Sequence, residues 1–138
     1  MAALTVTAAN VTIKNDKAIT NGVAGEALSQ GECVFLNSGD SKWYAANVSD
    51  GSMVGLSVGI CLCICDGADE RAVVAATENS IIDLGTTVTE GTWYVIAGSD
   101  GVLEEYSDLS AGENVTFVGY GNEDDNLVLN VNTQGFVK

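Results

Sequence analysis

Apolar residues in this chain come in short bursts, and no long window carries the 3.6-residue period of an amphipathic helix. The bursts are rich in β-branched and aromatic residues. They run Leu4–Thr7, Val11–Lys14, Cys33–Leu36, Trp43–Ala45, Val54–Cys65, Ala72–Ala76, Ile81–Leu84, Trp93–Ile96, Val115–Val118 and Leu127–Val131. Nearly all are bounded by Gly, Asn, Asp or Ser. Many short strands at close spacing predict an all-β domain. The expected form is a β-sandwich or a compact β-barrel or β-tulip-like domain built from short antiparallel hairpins. Residues 69–77 also fit two helical turns, but Val73-Val74 within a β-rich chain favours a strand. With no Pro and 16 Gly, turns fall to Gly, Asn, Asp and Ser.

One pattern recurs three times: an apolar residue, Ser or Thr, any residue, Gly, then a strand. The copies are Leu28-Ser29-Gln30-Gly31, Val88-Thr89-Glu90-Gly91 and Leu109-Ser110-Ala111-Gly112. Val34, Tyr94 and Val115 follow at one shared offset, and Leu36, Ile96 and Phe117 two residues later. Their common parity predicts that they face the core together. A polar turn and a return strand follow each copy, so the expected unit is a hairpin. Such turn-then-strand signals also recur in β proteins generally, and the uneven spacing excludes a regular solenoid.

The 138 residues suit one domain. Area scaling gives roughly 6,800 Å² exposed when folded against about 20,600 Å² unfolded, so about two thirds of the surface can be buried. That supports a core without disulfides or metals. Residues 21–138 are expected to form this single β domain. Residues 1–20 alternate in polarity and read as an N-terminal arm or edge strands.

Charge removes several function classes. Nineteen acids stand against Lys14, Lys17, Lys42, Arg71 and Lys138, a net charge of −14. Nucleic-acid binding draws on basic clusters, and the chain has none. Anionic membranes are disfavoured for the same reason. The expectation is no nucleic acid and no membrane, with solubility or steering toward a basic surface as the role of the charge. The first residues lack a basic region before a long apolar stretch, and no run approaches membrane-spanning length. We expect a chain made in the cytoplasm. Three sequons at Asn10, Asn47 and Asn114 therefore read as chance.

Catalytic equipment is sparse. The chain has no His, which removes Ser-His and Cys-His pairs and His-bearing metal sites. Paired carboxylates could still do acid–base work. Glu104-Glu105 and Glu123-Asp124-Asp125 lie in turn-like surroundings where acids are usually solvated. The turn 121–126 lacks the spacing of a calcium loop. No catalytic residue, cofactor or metal is expected, and the chain is not expected to be an enzyme.

The cysteines stand apart. Cys61, Cys63 and Cys65 alternate with Leu62 and Ile64. On a straight strand all three thiols point to one face, about 6.6 Å apart per step. Zinc, a disulfide to Cys33, and buried thiols acting as small apolar side chains all remain open. Parallel thiols fit zinc poorly, and bonding i to i+2 strains a disulfide. The apolar reading is the expected one.

Trp43-Tyr44 and Trp93-Tyr94 occupy matching places in two of the modules. Each pair sends one ring to each face, so one fills the core and the other is a candidate contact.

From residue 25 onward the order of motifs resembles a known family. Gly25-Glu-Ala-Leu-Ser-Gln-Gly-Glu-Cys-Val-Phe-Leu36 is followed by Lys42-Trp-Tyr-Ala-Ala46. Then come Val54-Gly-Leu-Ser57, Ala72-Val-Val-Ala-Ala76 and Thr87-Val-Thr-Glu-Gly-Thr-Trp-Tyr-Val-Ile-Ala-Gly98. This resembles the small β-rich head decoration, or cement, proteins of tailed bacteriophages, over roughly two thirds of the chain. The triple-cysteine run and the N-terminal twenty residues depart from that pattern. The resemblance implies a structural virion protein on the outer capsid surface. It would bind the major capsid (coat) protein, often as a homotrimer, and stabilise the shell. Lys14, Lys17, Trp43 and Trp93 are the candidate partner contacts. The other expectation is a β-sandwich binding module of a phage fibre or tail that recognises carbohydrate or a host receptor.

Overall fold

The computed structural model describes residues 3–138, apart from the side chains of residues 134 and 135. The strands are β1 (Thr12–Ile13), β2 (Thr20–Val23), β3 (Cys33–Leu36), β4 (Trp43–Ala45), β5 (Val58–Cys61) and β6 (Arg71–Ala75). They continue as β7 (Ile81–Asp83), β8 (Trp93–Ile96), β9 (Leu103–Glu105), β10 (Asn114–Gly121) and β11 (Leu127–Val137). Three short 3-10 turns at Ala8–Asn10, Val48–Asp50 and Tyr106–Asp108 complete the order. The strands form two antiparallel sheets. The six-stranded sheet runs β1-β7-β11-β10-β8-β9, and the five-stranded sheet runs β2-β6-β5-β3-β4. They pack face to face, so the all-β expectation holds as a β-sandwich.

All three hairpins are present: β3–β4, β8–β9 and β10–β11. Their tips show why these turns work without Pro. Asn37 Oδ1 accepts the Gly39 N–H at 2.7 Å. Asn122 Oδ1 accepts the N–H groups of Asp124 and Asn126, both at 3.0 Å. Such Asx turns replace backbone bonds that the reversing chain cannot make with itself.

The apolar residues sort into three layers. The main core lies between the sheets, with Cys33, Val58, Ile60 and Ala75 meeting Ile82, Tyr94, Ile96, Val118, Leu127 and Leu129. A second layer covers the outer face of the five-stranded sheet: Val34, Trp43, Ala45, Cys61 and Val74 under Ala24, Leu28 and Cys65. Strand alternation produces this, since Val34, Ala45, Cys61 and Val74 each adjoin a residue of the main core. A smaller layer on the outer face of the six-stranded sheet holds Val95, Leu109 and Val115.

This layering corrects the shared-parity expectation. Tyr94 and Ile96 enter the main core, Val34 the second layer, and Val115 and Phe117 the third. Alternation within each strand is as expected. A strand with both faces covered carries no local signal of which face meets the other sheet.

Two strand assignments change. Leu4–Thr7 is extended but pairs with no strand. The Leu4 N–H bonds Leu103 O at 2.9 Å and the Thr7 N–H bonds Leu84 O at 3.2 Å, so the segment switches partners and never builds a ladder. The segment 54–65 is strand only at Val58–Cys61. Before it the chain turns at Gly55 (φ +76°), a left-handed conformation that glycine adopts without strain.

Residues 3–19 are not a free arm. Leu4 and Val6 pack on the main core and Val11 is buried within it. The β1 strand (Thr12–Ile13) forms one edge of the six-stranded sheet, and β2, which begins at Thr20, forms one edge of the other. Met1 and Ala2, the start of the expected arm, lie outside the described residues.

Candidate functional site

Trp93 points outward because Tyr94 points in. Tyr94 is fully buried while Trp93 is 40 % exposed. On the neighbouring strand, Phe117 and Tyr120 are three residues apart and would face opposite sides of a regular strand. The β10 register shifts between Phe117 and Gly119 against both β8 and β11. That bulge absorbs one residue, and both rings come to the outer face beside Trp93.

The result is a connected aromatic surface. Trp93 lies 5.1 Å from Tyr120 and 5.7 Å from Phe117 between ring centroids. Phe117 in turn lies 5.3 Å from Tyr106 and 6.0 Å from Phe136. Five of the nine aromatic residues (two Trp, four Tyr, three Phe in all) thus form one network. Phe136 is 44 % exposed and Val137 58 % exposed. A shallow cleft of about 240 Å³ opens among Trp93, Phe117, Asn130 and Asn132. Exposed rings of this size in mutual contact are what binding surfaces use as anchors.

Charge frames the apolar strip. Lys138 Nζ lies 4.6 Å from the Tyr106 ring centre and donates to Tyr106 O at 2.8 Å. The Glu104 carboxyl, beside this end of the strip, is raised above its ordinary pKa, first by burial and then by the Glu113 and Asp108 carboxylates, with Lys138 opposing. The rim is therefore acidic and partly desolvated, a setting that favours a basic neighbour.

The expected contact residues do not come together. Trp93 alone sits on this face. Trp43 is 2 % exposed in the second layer of the five-stranded sheet. It cannot touch a partner, which corrects its reading as a contact. The Trp-Tyr pairs are in fact inverted: Trp43 is buried with Tyr44 at the surface, and Tyr94 is buried with Trp93 at the surface. Lys14 and Lys17 are exposed. Lys14 adjoins the β1 edge, with three strands between β1 and β8. Phe117, Tyr120, Tyr106, Phe136, Asn130 and Asn132 went unrecognised as surface residues. Only the outward ring of the Trp93-Tyr94 pair pointed this way.

The acidic pairs remain separate features. Glu104 and Glu105 are neighbours on β9 and so point to opposite faces. Glu123, Asp124 and Asp125 are exposed at the β10–β11 tip. Cys33 behaves as an apolar side chain, fully buried with its thiol pushed up to about 12 by burial.

No protein-family model, curated protein or solved structure matches the chain.

Proposed function

We propose that this chain is a non-catalytic structural protein of a bacteriophage virion. It binds the outer surface of the assembled capsid through the aromatic face of the six-stranded sheet and stabilises the shell. The observation that carries the surface assignment is the ring network in which exposed Trp93 and Phe136 flank half-buried Phe117, Tyr120 and Tyr106. The motif order across residues 25–98 supports the class. The acidic rim and the net charge of −14 call for a coat surface with basic residues around an apolar patch. Such complementarity speeds encounter and rejects like-charged partners. Three copies around a shell threefold axis would engage three coat contacts at once, and linked contacts raise avidity well above each single affinity.

Cosedimentation with undecorated shells of the phage that encodes the chain tests this. The wild-type protein pellets with the shells, and the folded Trp93→Ala/Phe136→Ala double variant stays in the supernatant. A wild-type protein that never pellets sinks the function. A folded double variant that still pellets sinks the surface assignment.

One observation favours a second reading. The Trp93 ring and the Asn130 and Asn132 amides share one cleft, and a ring platform beside amide hydrogen-bonding groups suits a sugar. A fibre or tail module recognising carbohydrate would bind a glycan array through this cleft and ignore shells.

A further inference from the structure

The straight-strand expectation for Cys61, Cys63 and Cys65 fails at Leu62. In the β5–β6 ladder Cys61 pairs with Val74, and the Leu62 N–H bonds Val73 O at 2.8 Å. The next bond of a regular ladder would return from the Val73 N–H to Leu62 O. Instead Leu62 O accepts from Gln30 Nε2 at 3.2 Å. The Val73 N–H is taken by Cys63 Sγ, also at 3.2 Å. A sulfur has replaced a carbonyl in the ladder, and the chain bends at Cys63 to bring it there.

The bend gathers what a straight strand separates. All three Sγ atoms lie within 4.8 Å of one another, and Cys63 Sγ and Cys65 Sγ are 3.8 Å apart. Cys65 is held by paired backbone bonds with Leu28, at 2.8 and 2.9 Å. A metal bonded to sulfur at about 2.3 Å sets its sulfurs about 3.8–4.0 Å apart in tetrahedral or trigonal geometry. One edge of the triangle already has that length, and the others, within 4.8 Å, need to close by about 1 Å at most.

We propose that Cys61, Cys63 and Cys65 bind one soft, thiophilic d10 metal ion, of the Zn(II) or Cu(I) class, through three thiolates. Sulfur-only donor sets select such ions over hard oxygen-seeking cations. Binding exchanges three S–H protons for three metal–sulfur bonds, and the protons leave to solvent. Cys61 and Cys65 are buried while Cys63 is half-exposed, which gives the ion an entry path and a dry seat. The Val73 N–H already points at Cys63 Sγ and would stabilise its negative charge. The neighbouring Arg71 carbonyl accepts a hydrogen bond from the Cys65 thiol at 3.3 Å in the metal-free chain and would have to turn aside. The bound ion would clip residues 61–65 to one another beside β6, independently of what the aromatic face binds.

The test uses the whole, reduced protein handled without oxygen and titrated with Cd(II), whose thiolate complexes absorb in the near ultraviolet. One equivalent should saturate the thiolate-to-metal band and release three protons. Cys63→Ser, at the half-exposed corner, should weaken binding by at least about 100-fold, more than losing an outer-shell partner costs. Cys33→Ala should leave the stoichiometry unchanged. Zn(II) and Cu(I) should each displace the cadmium, and the lower displacing concentration identifies the better-suited ion. Absence of the band in the wild-type protein overturns the proposal whatever the variants do. So does saturation at half an equivalent, or a folded Cys63→Ser protein that binds as tightly as wild type.

Discussion

The Tyr94 hydroxyl, on a side chain with no exposed surface, accepts the backbone N–H of Thr89 at 2.9 Å. The ring fills the main core while its oxygen reaches the turn that opens its own hairpin module. Removing that oxygen leaves the ring packing intact and strips the Thr89 N–H of its partner. Tyr94→Phe is expected to cost about 1 kcal/mol. Urea unfolding should show a lower midpoint with an unchanged slope. An unshifted midpoint would mean that water replaces the hydroxyl without loss.

The two tryptophans should respond very differently to truncation. Trp43→Ala empties the centre of the second layer and is expected to cost about 3–5 kcal/mol. Trp93→Ala removes only ring contacts with Phe117 and Tyr120, about 1–2 kcal/mol. Thermal melts followed by circular dichroism rank them directly. Equal losses would contradict the inverted placement of the two Trp-Tyr pairs.

Close approach of backbones makes Gly119 the more demanding of two glycines. A Cβ there would overlap the carbonyl oxygen of Val128 on the paired strand. Gly112, at φ +91°, has nothing within 4 Å of its would-be Cβ. Gly119→Ala must push β10 from β11 and is expected to cost about 3 kcal/mol or more. Gly112→Ala pays only for its backbone conformation, about 1–2 kcal/mol. Chemical denaturation of the two variants side by side separates clash from strain.

Stability should fall as pH rises above the ordinary carboxylate range. Burial raises the Glu32 carboxyl pKa, the Glu26 and Asp100 carboxylates raise it further, and the Ser29 N–H only partly opposes them. The folded chain therefore holds this proton more tightly than the unfolded chain. Stability is lost as pH climbs from the ordinary value of 4.5 through the raised one. Asp50 and Glu104 are shifted in the same direction, each mainly by burial. Urea midpoints measured from about pH 5 to about pH 8 should decline. Glu32→Gln, which keeps an oxygen for the Ser29 N–H, should decline less. An identical slope in the variant would remove Glu32 from this account.

Legibility in the sequence followed locality. The limits of β3, β4 and β8 could be read to the residue, because β-branched and aromatic residues there end at Asn, Gly or Asp turns. The three hairpins were legible for the same reason. Leu4–Thr7 misled because a strand is defined by its partners, and Leu103 and Leu84 are remote in the chain. The aromatic face was legible only at Trp93. Phe117 and Tyr120 join it through a bulge at residues 117–119 that no local signal marks, and Tyr106 and Phe136 come from elements remote in the chain. The cysteine cluster was legible as composition but not as geometry. Its shape goes with the acceptor the Val73 N–H takes, Cys63 Sγ, while Leu62 O accepts from Gln30 instead.

The position of β11 sets the order in which this protein can come into being. The strand lies between β7 and β10 in the six-stranded sheet, so a chain still lacking residues 127–137 holds that sheet as two unjoined pieces. Asn130, Asn132 and Phe136 belong to the same strand, and the aromatic surface is incomplete until it docks. Residues 127–137 must therefore be in place before the six-stranded sheet is continuous. A chain cut short before Leu127 would lose both the joint of that sheet and part of the aromatic surface, so the two stand or fall together.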